Sequence, residues 1–300
     1  MNSDDQARWK NEALDEVFAA LAARATLTGY VVYKGARILN RRLDDVTRQS
    51  LDIDMNMTAA FVVTYPTTQL QHDVFLREIG AALRNHFSRA SVVRYEVIDI
   101  AITIPKPHAL GWNAFEVRVR LRDFERTNVR GLPTLQLDIA APEHLGPRSL
   151  AKLVVHGHDV QAYTETRIAG EKLRAFLSTL PAYRVKLNAG DRVVRAKDLF
   201  DLVRIERAHP LNDPAEREFW VDVADDFARA CASRFVDCAG IATFAQGLET
   251  TRRVYDTDVT VPKSDVAFDA AWATLKRIVA HIESLAVIPF AFPLPSMPFN

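Results

Sequence analysis

The stretch from Tyr30 to Met57, YVVYKGARILNRRLDDVTRQSLDIDMNM, constrains the fold more than any other part of this chain. It closes on Asp52-Ile53-Asp54, where Leu51, Ile53 and Met55 alternate with the two acids. Alternation with a period of two marks a strand, and it turns both carboxylates to one face about 6.7 Å apart, at about 3.3 Å per residue. Acids so placed converge on one cation, and a divalent metal ion is the natural occupant. Upstream, the apolar run Tyr30 to Tyr33 breaks at Lys34-Gly35, and Ala36 to Leu43 reads as a short helix carrying Arg37, Arg41 and Arg42. A strand that enters a helix through a glycine turn leaves backbone N–H groups for a phosphate. Acid for metal and amides for anionic oxygen are the minimum equipment for moving a nucleotidyl or phosphoryl group. A D-x-D pair alone is more often the solvated face of an antiparallel sheet, so the reading needs support from the rest of the chain.

At 300 residues the chain can bury one large core or two small ones. Its 38 basic residues equal its 38 acidic ones, so no global field draws it to nucleic acid, and any RNA contact must come from a local patch. Cys231 and Cys238 fall in a helical region and read as small buried thiols of a reducing cytoplasm. The opening MNSDDQARWKNE has no apolar core of a secretory signal, and no run reaches the roughly 18 apolar residues of a membrane span. A cytoplasmic protein without a membrane partner is expected.

Taken in order, Asp4 to Ala23 places Trp9, Leu14, Val17, Phe18 and Leu21 at helical spacing behind a Ser3 or Asp4 cap. Thr67 to Phe87 is a second amphipathic helix, capped by Thr67 or Thr68. From Ser91 to Ala140 the period falls to two, and three alternating segments separated by prolines and glycines predict an antiparallel meander. Its middle strand carries Arg118, Arg120 and Arg122 as a basic strip, most simply solvated surface. Its last strand carries Asp138, a third metal-facing acid if that strand pairs beside the one bearing Asp52 and Asp54. His156-Gly157-His158-Asp159 has a spacing that zinc can use and that a strand and turn explain equally well. From Arg167 onward the pattern is helical, with segments at Ile168 to Leu180, Ala196 to Ala208, Pro214 to Phe235, Thr243 to Val254 and Ser264 to Leu285. Between the first two lies a basic loop, with Arg184, Lys186, Arg192, Arg195 and Lys197 for an acceptor's phosphates and Tyr183 for stacking. The proline-rich tail VIPFAFPLPSMPFN is either an extended strap or a partner contact.

Three separated motifs carry a resemblance to the AbiEii/AbiGii-type nucleotidyltransferase toxins, a branch of the DNA polymerase β-like nucleotidyltransferase superfamily. Lys34-Gly35-Ala36-Arg37-Ile38-Leu39 followed by Arg48-Gln49-Ser50-Leu51-Asp52-Ile53-Asp54-Met55 is similar to the family's K-G-G-[TS]-x-L and R-x-S-x-D-[IL]-D. Glu171-Lys172-Leu173-Arg174-Ala175 resembles its helical E-K-[LI]-x-A, and Lys197-Asp198-Leu199-Phe200-Asp201-Leu202 its K-D-[LIF]-[YF]-D-[LI]. Their order and separation fit as well.

The resemblance implies an α+β fold: a polymerase β-like nucleotidyltransferase domain with a mixed or antiparallel sheet at residues 1–165, then a helical bundle with the proline-rich tail at 166–300. It implies transfer of a nucleoside monophosphate from an NTP to an acceptor, of which a tRNA 3′ end is one candidate, in a toxin–antitoxin or abortive-infection system with a cognate antitoxin. Asp52, Asp54 and Asp138 would hold Mg²⁺ or Mn²⁺ in a two-metal site. Lys34, Gly35 and Ser50 would sit at the nucleotide, and Lys172 at its β- or γ-phosphate. Asp198 would orient Lys172 or the nucleotide, and Asp201 either binds the nucleotide or makes a structural contact. Ala36 and Arg37 depart from the family's glycine and hydroxyl residue, leaving Arg37 either on the phosphates or in solvent. That departure keeps two other readings open: a degenerate fold acting as a nucleotide-binding or interaction module, and a phosphotransferase acting on protein.

Overall fold

The structure, a computed structural model, describes residues 2–89, 93–104, 113–127, 131–187, 194–237, 241–258, 260–285 and 292. By their internal contacts they form two compact units: unit 1 is Met1–Ile38, Gln49–Pro142 and Ala151–Ala162, and unit 2 is Leu39–Arg48, Glu143–Leu150 and Tyr163–Asn300. In place of one boundary at residue 165, two short upstream segments group with the second half. Ion pairs explain this: Asp45 and Arg48 bind Arg204 and Asp201, and Glu143 binds Arg167.

Unit 1 opens with α1 (Ser3–Ala22), whose Trp9, Leu14, Val17, Phe18 and Leu21 are all buried. Its cap is Asn2 rather than Ser3 or Asp4; the Asn2 side chain accepts from the Asp5 amide at 2.8 Å. Then come α2 (Ala25–Tyr30), β1 (Val31–Lys34), α3 (Gly35–Arg42), β2 (Ile53–Met57), α4 (Ala59–Thr64) and α5 (Thr68–Arg89). The strands β3 (Tyr95–Thr103), β4 (Ala114–Asp123), β5 (Leu135–Ala140), β6 (Leu150–Val155) and β7 (His158–Tyr163) complete the sheet. The six-residue helices α2 and α4 escape a periodicity reading, since one and a half turns carry too few apolar positions to show a period.

The seven strands run in the order β3-β4-β5-β2-β1-β7-β6. The meander is as expected, with β3, β4 and β5 successively antiparallel. β5 then pairs with β2 in parallel, and β1 is antiparallel to β2 and parallel to β7. Alternation sorts each strand's side chains: on β4, Phe115, Val117, Val119 and Leu121 are buried while Arg118, Arg120 and Arg122 are exposed. Helices α5 and α1 pack on β3 and β5, and the Trp9 indole donates to Asp123 at 2.8 Å. His156-Gly157 forms the turn between β6 and β7, with both residues at positive φ. The strand-and-turn explanation of His156-Gly157-His158-Asp159 therefore suffices, since among the described residues the metal-competent trio lies elsewhere.

A buried carboxylate ties α2 to α5. Glu78 accepts from Thr26 at 2.6 Å, from Arg24 at 2.7 and 2.9 Å and from Arg77 at 2.9 Å. Burial pushes its pKa up, yet these donors win and hold it at about 2. A depressed carboxyl stabilises the fold above its ordinary pKa and loses that contribution as pH falls towards 2. Glu78→Gln is expected to be less stable than wild type at pH 7 and to lose less stability between pH 4.5 and 2, as measured by urea unfolding across that range.

Unit 2 is the expected helical bundle: α6 (Glu165–Leu177), α7 (Pro181–Lys186), α8 (Ala196–Ala208), α9 (Arg217–Arg234), α10 (Ile241–Ala245), α11 (Leu248–Thr257) and α12 (Phe268–Ser284). α6 packs on α8 and α9, and α12 on α8. Gly170 permits the α6–α9 approach, because a Cβ there would stand 2.6 Å from the Phe227 amide nitrogen. Fully buried Arg167 on α6 binds Glu143 at 2.6 Å and the Asp226 carbonyl at 3.0 Å. The expected basic loop is helical at its start, where Pro181 presets the first turn of α7. Cys231 is a buried thiol on α9, and that helix ends at Phe235 in the left-handed conformation. Cys238, Arg192 and nearly all of the proline-rich tail lie outside the described residues. Among the described residues no helix is long and apolar enough to cross a membrane.

Candidate active site

In unit 1 the parallel pairing of β2 with β5 sets Asp54 directly opposite Asp138. Asp52 lies one residue before β2 begins, in the bend that leads into it. One carboxylate oxygen from each of Asp52, Asp54 and Asp138 lies within 4.8 Å of the others, and all three residues are half-buried. Two strands more than eighty residues apart in the chain thus bring together the trio expected from the sequence. Lys34 is opposite Asp54 on one side and Glu116 opposite Asp138 on the other, so a row of charged residues crosses the sheet. Gln136 donates to both Asp138 oxygens, at 3.1 and 3.2 Å.

Burial pushes the Asp138 carboxyl above the usual range, the Gln136 bond opposes this, and the charges of Asp52 and Glu116 raise it further. A cation relieves that crowding. Three hard carboxylate oxygens suit Mg²⁺ or Mn²⁺, so the residues present fit the expected ion.

Two neighbours fix the trio. Ser50 is buried and its hydroxyl bonds the Asp52 carbonyl at 3.2 Å and carboxylate at 3.4 Å. Gly35, at φ +79°, lies so close under Asp54 that a Cβ would stand 2.2 Å from Asp54 Oδ2. The glycine is therefore required twice, for its backbone conformation and for the space the carboxylate fills.

In unit 2 a second cluster is built by α6, α8 and the segment before β2. Lys172 Nζ donates to Asp198 at 3.1 Å and also to Asp201. Arg48 pairs with Asp201, Arg195 with Asp198 at 2.6 Å, and Arg204 with Asp201 at 3.4 Å. Asp198 and Asp201 are fully buried. Burial alone would raise both carboxyls, but Arg195 and Lys172 hold Asp198 well below the usual range, and Arg48 and Lys172 hold Asp201 below it.

The family model for the nucleotidyl transferase AbiEii toxin of type IV toxin–antitoxin systems matches residues 17–283. The chain belongs to the AbiEii family. It is therefore a transferase of that toxin class. No curated protein sequence matches it. Among solved structures, JHP933 from Helicobacter pylori superimposes with a TM-score of 0.52 at 16% identity, over 93% of each chain, and shares the fold. An antigenic nucleotidyltransferase-like protein from Paracoccidioides brasiliensis gives 0.37 at 13% identity, over 75% of this chain and 88% of that one. The antibiotic-resistance factor ANT(2'')-Ia gives 0.29 at 13%, over 90% and 99%.

Within this AbiEii chain the departure at Ala36-Arg37 has a structural outcome that neither expectation anticipated. Arg37 is buried; its guanidinium donates to Asp15 at 2.7 Å, to Asn11 at 3.1 Å and to the Ser50 carbonyl at 2.7 Å. It clamps α1 to the segment that carries Asp52, and so neither faces solvent nor reaches for phosphate. Asp201, one of whose expected places was the nucleotide, is fully buried against cations and takes the structural alternative. Arg48, a motif residue without an expected role, is that aspartate's partner; its presence in the R-x-S-x-D-x-D motif was the available signal. Tyr183 is buried with its hydroxyl on the Arg234 carbonyl at 2.6 Å, so it offers no stacking face. Lys186 is bonded to Asp237 at 2.8 Å, and Arg195 to Asp198. Lys197 is exposed.

Proposed function

We propose that this AbiEii chain transfers a nucleoside monophosphate from an NTP to an acceptor hydroxyl in the cytoplasm, with a tRNA 3′ end as the acceptor and a cognate antitoxin as its restraint. The observation that carries the reading is the convergence of Asp52, Asp54 and Asp138 within 4.8 Å. Those three carboxylates would hold the divalent cations, a pair in this reading, which supply neutralisation of the triphosphate and acidify the attacking hydroxyl. The acceptor oxygen bonds to the α-phosphorus as the bond to the bridging oxygen of the β-phosphate breaks, and pyrophosphate leaves. Asp138, on the strand beside Asp54, is placed to accept the hydroxyl proton. Ser50 and Gly35 position Asp52 and Asp54, and Gly35 with Lys34 meets phosphate oxygen at the strand-to-helix turn. In unit 2, Lys172, held by Asp198 and Asp201, is the cation this reading assigns to a nucleotide phosphate.

The test is incubation with each of the four NTPs, labelled at the α-phosphate, in the presence of Mg²⁺ and total RNA. Label is expected in RNA. Asp52→Ala should reduce transfer by at least about 10³-fold and relieve growth inhibition, since it removes charge stabilisation of the transition state. Label from the γ-phosphate instead would mark a phosphotransferase, and NTP binding without any transfer would mark an interaction module; either result sinks the reading.

A further inference from the structure

The sheet face that carries the carboxylates continues into the arginine strip of β4. Register makes the continuity explicit: Glu116 is opposite Asp138, and two residues along β4 Arg118 is opposite Gln136, the residue bonded to Asp138. Arg120 and Arg122 follow at the same alternation, about 6.8 Å per step at about 3.4 Å per residue. This repeat is close to that of successive phosphates along an extended nucleic-acid strand. All three side chains are exposed. Arg118 pairs with Glu116 on its own strand and Arg122 with Glu96 on β3, but exposed ion pairs are weak and exchange readily for a phosphate. Arg120, opposite Asp99, makes no ion pair among the described residues.

The strip ends at an open cavity of about 570 Å³. Arg120, Arg122 and Arg126 line it together with apolar Ile98 and Leu132; the acid in the lining, Asp123, is buried and already bonded to Trp9, with Arg126 3.9 Å away. Guanidinium groups beside an apolar wall match a nucleotide, whose phosphate is anionic and whose base is flat and largely apolar on its faces.

We propose that this face is a binding track for a single-stranded nucleic acid. Arg118, Arg120 and Arg122 take successive phosphates, the cavity takes one nucleotide, and the strand runs along β4 towards Asp138. The proposal deepens the transferase reading and rests on it for which end of the strand reaches the carboxylates. Acidic peptide is the competing occupant, and the cavity's apolar wall beside three guanidinium groups favours the nucleotide.

The test is fluorescence anisotropy of a 5′-labelled 20-nucleotide RNA, with the matching DNA in parallel, over a range of salt concentrations. Wild type is expected to bind with a steep salt dependence. R118Q/R120Q/R122Q should bind at least tenfold more weakly, and its slope of log K against log salt should fall by about 2, at about 0.7 per phosphate contact on a single strand. E96Q/D99N removes the acids beside the strip and should tighten binding several-fold, a gain that a misfolded chain cannot imitate. Equal affinity and slope in wild type and the triple variant, or displacement of the RNA by polyglutamate at equal charge concentration, overturns the proposal. Transfer of α-phosphate label is scored separately: if wild type transfers none yet binds RNA through the strip, the track stands and the transferase reading falls. If transfer persists while the triple variant binds RNA as wild type does, the track alone falls.

Discussion

Gly35→Ala is expected to lower nucleoside monophosphate transfer by about 10²-fold or more, chiefly because the new methyl group collides with Asp54. A Cβ at this position would stand 2.2 Å from Asp54 Oδ2 and 2.9 Å from Asp54 Cβ, so the carboxylate must move. A displacement of about 1 Å at a reacting centre is enough for a loss of this size. The backbone adds its own cost, because φ +79° lies in the left-handed region, where an L-residue costs about 1–2 kcal/mol. A second readout separates a displaced metal ligand from mere destabilisation. Mg²⁺ at about 100 times its dissociation constant stabilises a binding-competent fold by about 2.7 kcal/mol. Wild type should show that rise in thermal midpoint and Gly35→Ala should not. A variant that keeps both the Mg²⁺-dependent rise and the activity would remove the glycine from the site.

Asp201→Ala is expected to destabilise the protein by about 3–5 kcal/mol, the usual penalty for stranding buried charge. Its carboxylate receives Arg48, Lys172 and Arg204, and the Arg48 side chain is only 4% exposed. The substitution takes a carboxylate away from three cations at once, while Lys172 retains Asp198. Arg48→Met/Asp201→Leu should therefore be more stable than Asp201→Ala, because removing both charges is cheaper than removing one. Urea unfolding with a common slope reads both values. A single variant within about 1 kcal/mol of wild type would show that the cluster does not hold the bundle together.

Much of the fold was legible in the sequence because its elements are long enough to show a period. α1, α5, α8 and α9 display apolar residues at helical spacing, and the meander alternates cleanly. The short helices α2, α4 and α7 were not legible, and α7 occupies part of a stretch whose basic residues suggested an open acceptor loop. Arg37 shows the limit of local reading: an arginine on a short polar helix looks solvated, yet α1 arrives over it with Asp15 and Asn11. Asp201 shows another, since one sequence motif cannot say whether its aspartate faces a ligand or a buried arginine brought from 153 residues away.

By itself the sequence determined the chemistry available: alternation puts Asp54 on a strand with Asp52 in the bend just before it, a glycine turn precedes them, and a third acid lies on a later strand. Only the tertiary structure decided that the third acid belongs with the first two, because strand order is set by which apolar faces bury together and not by any local pattern. The antiparallel pairing of β4 with β5 likewise put the β4 arginines on the face that carries the carboxylates, a local concentration of charge that the balanced overall count conceals.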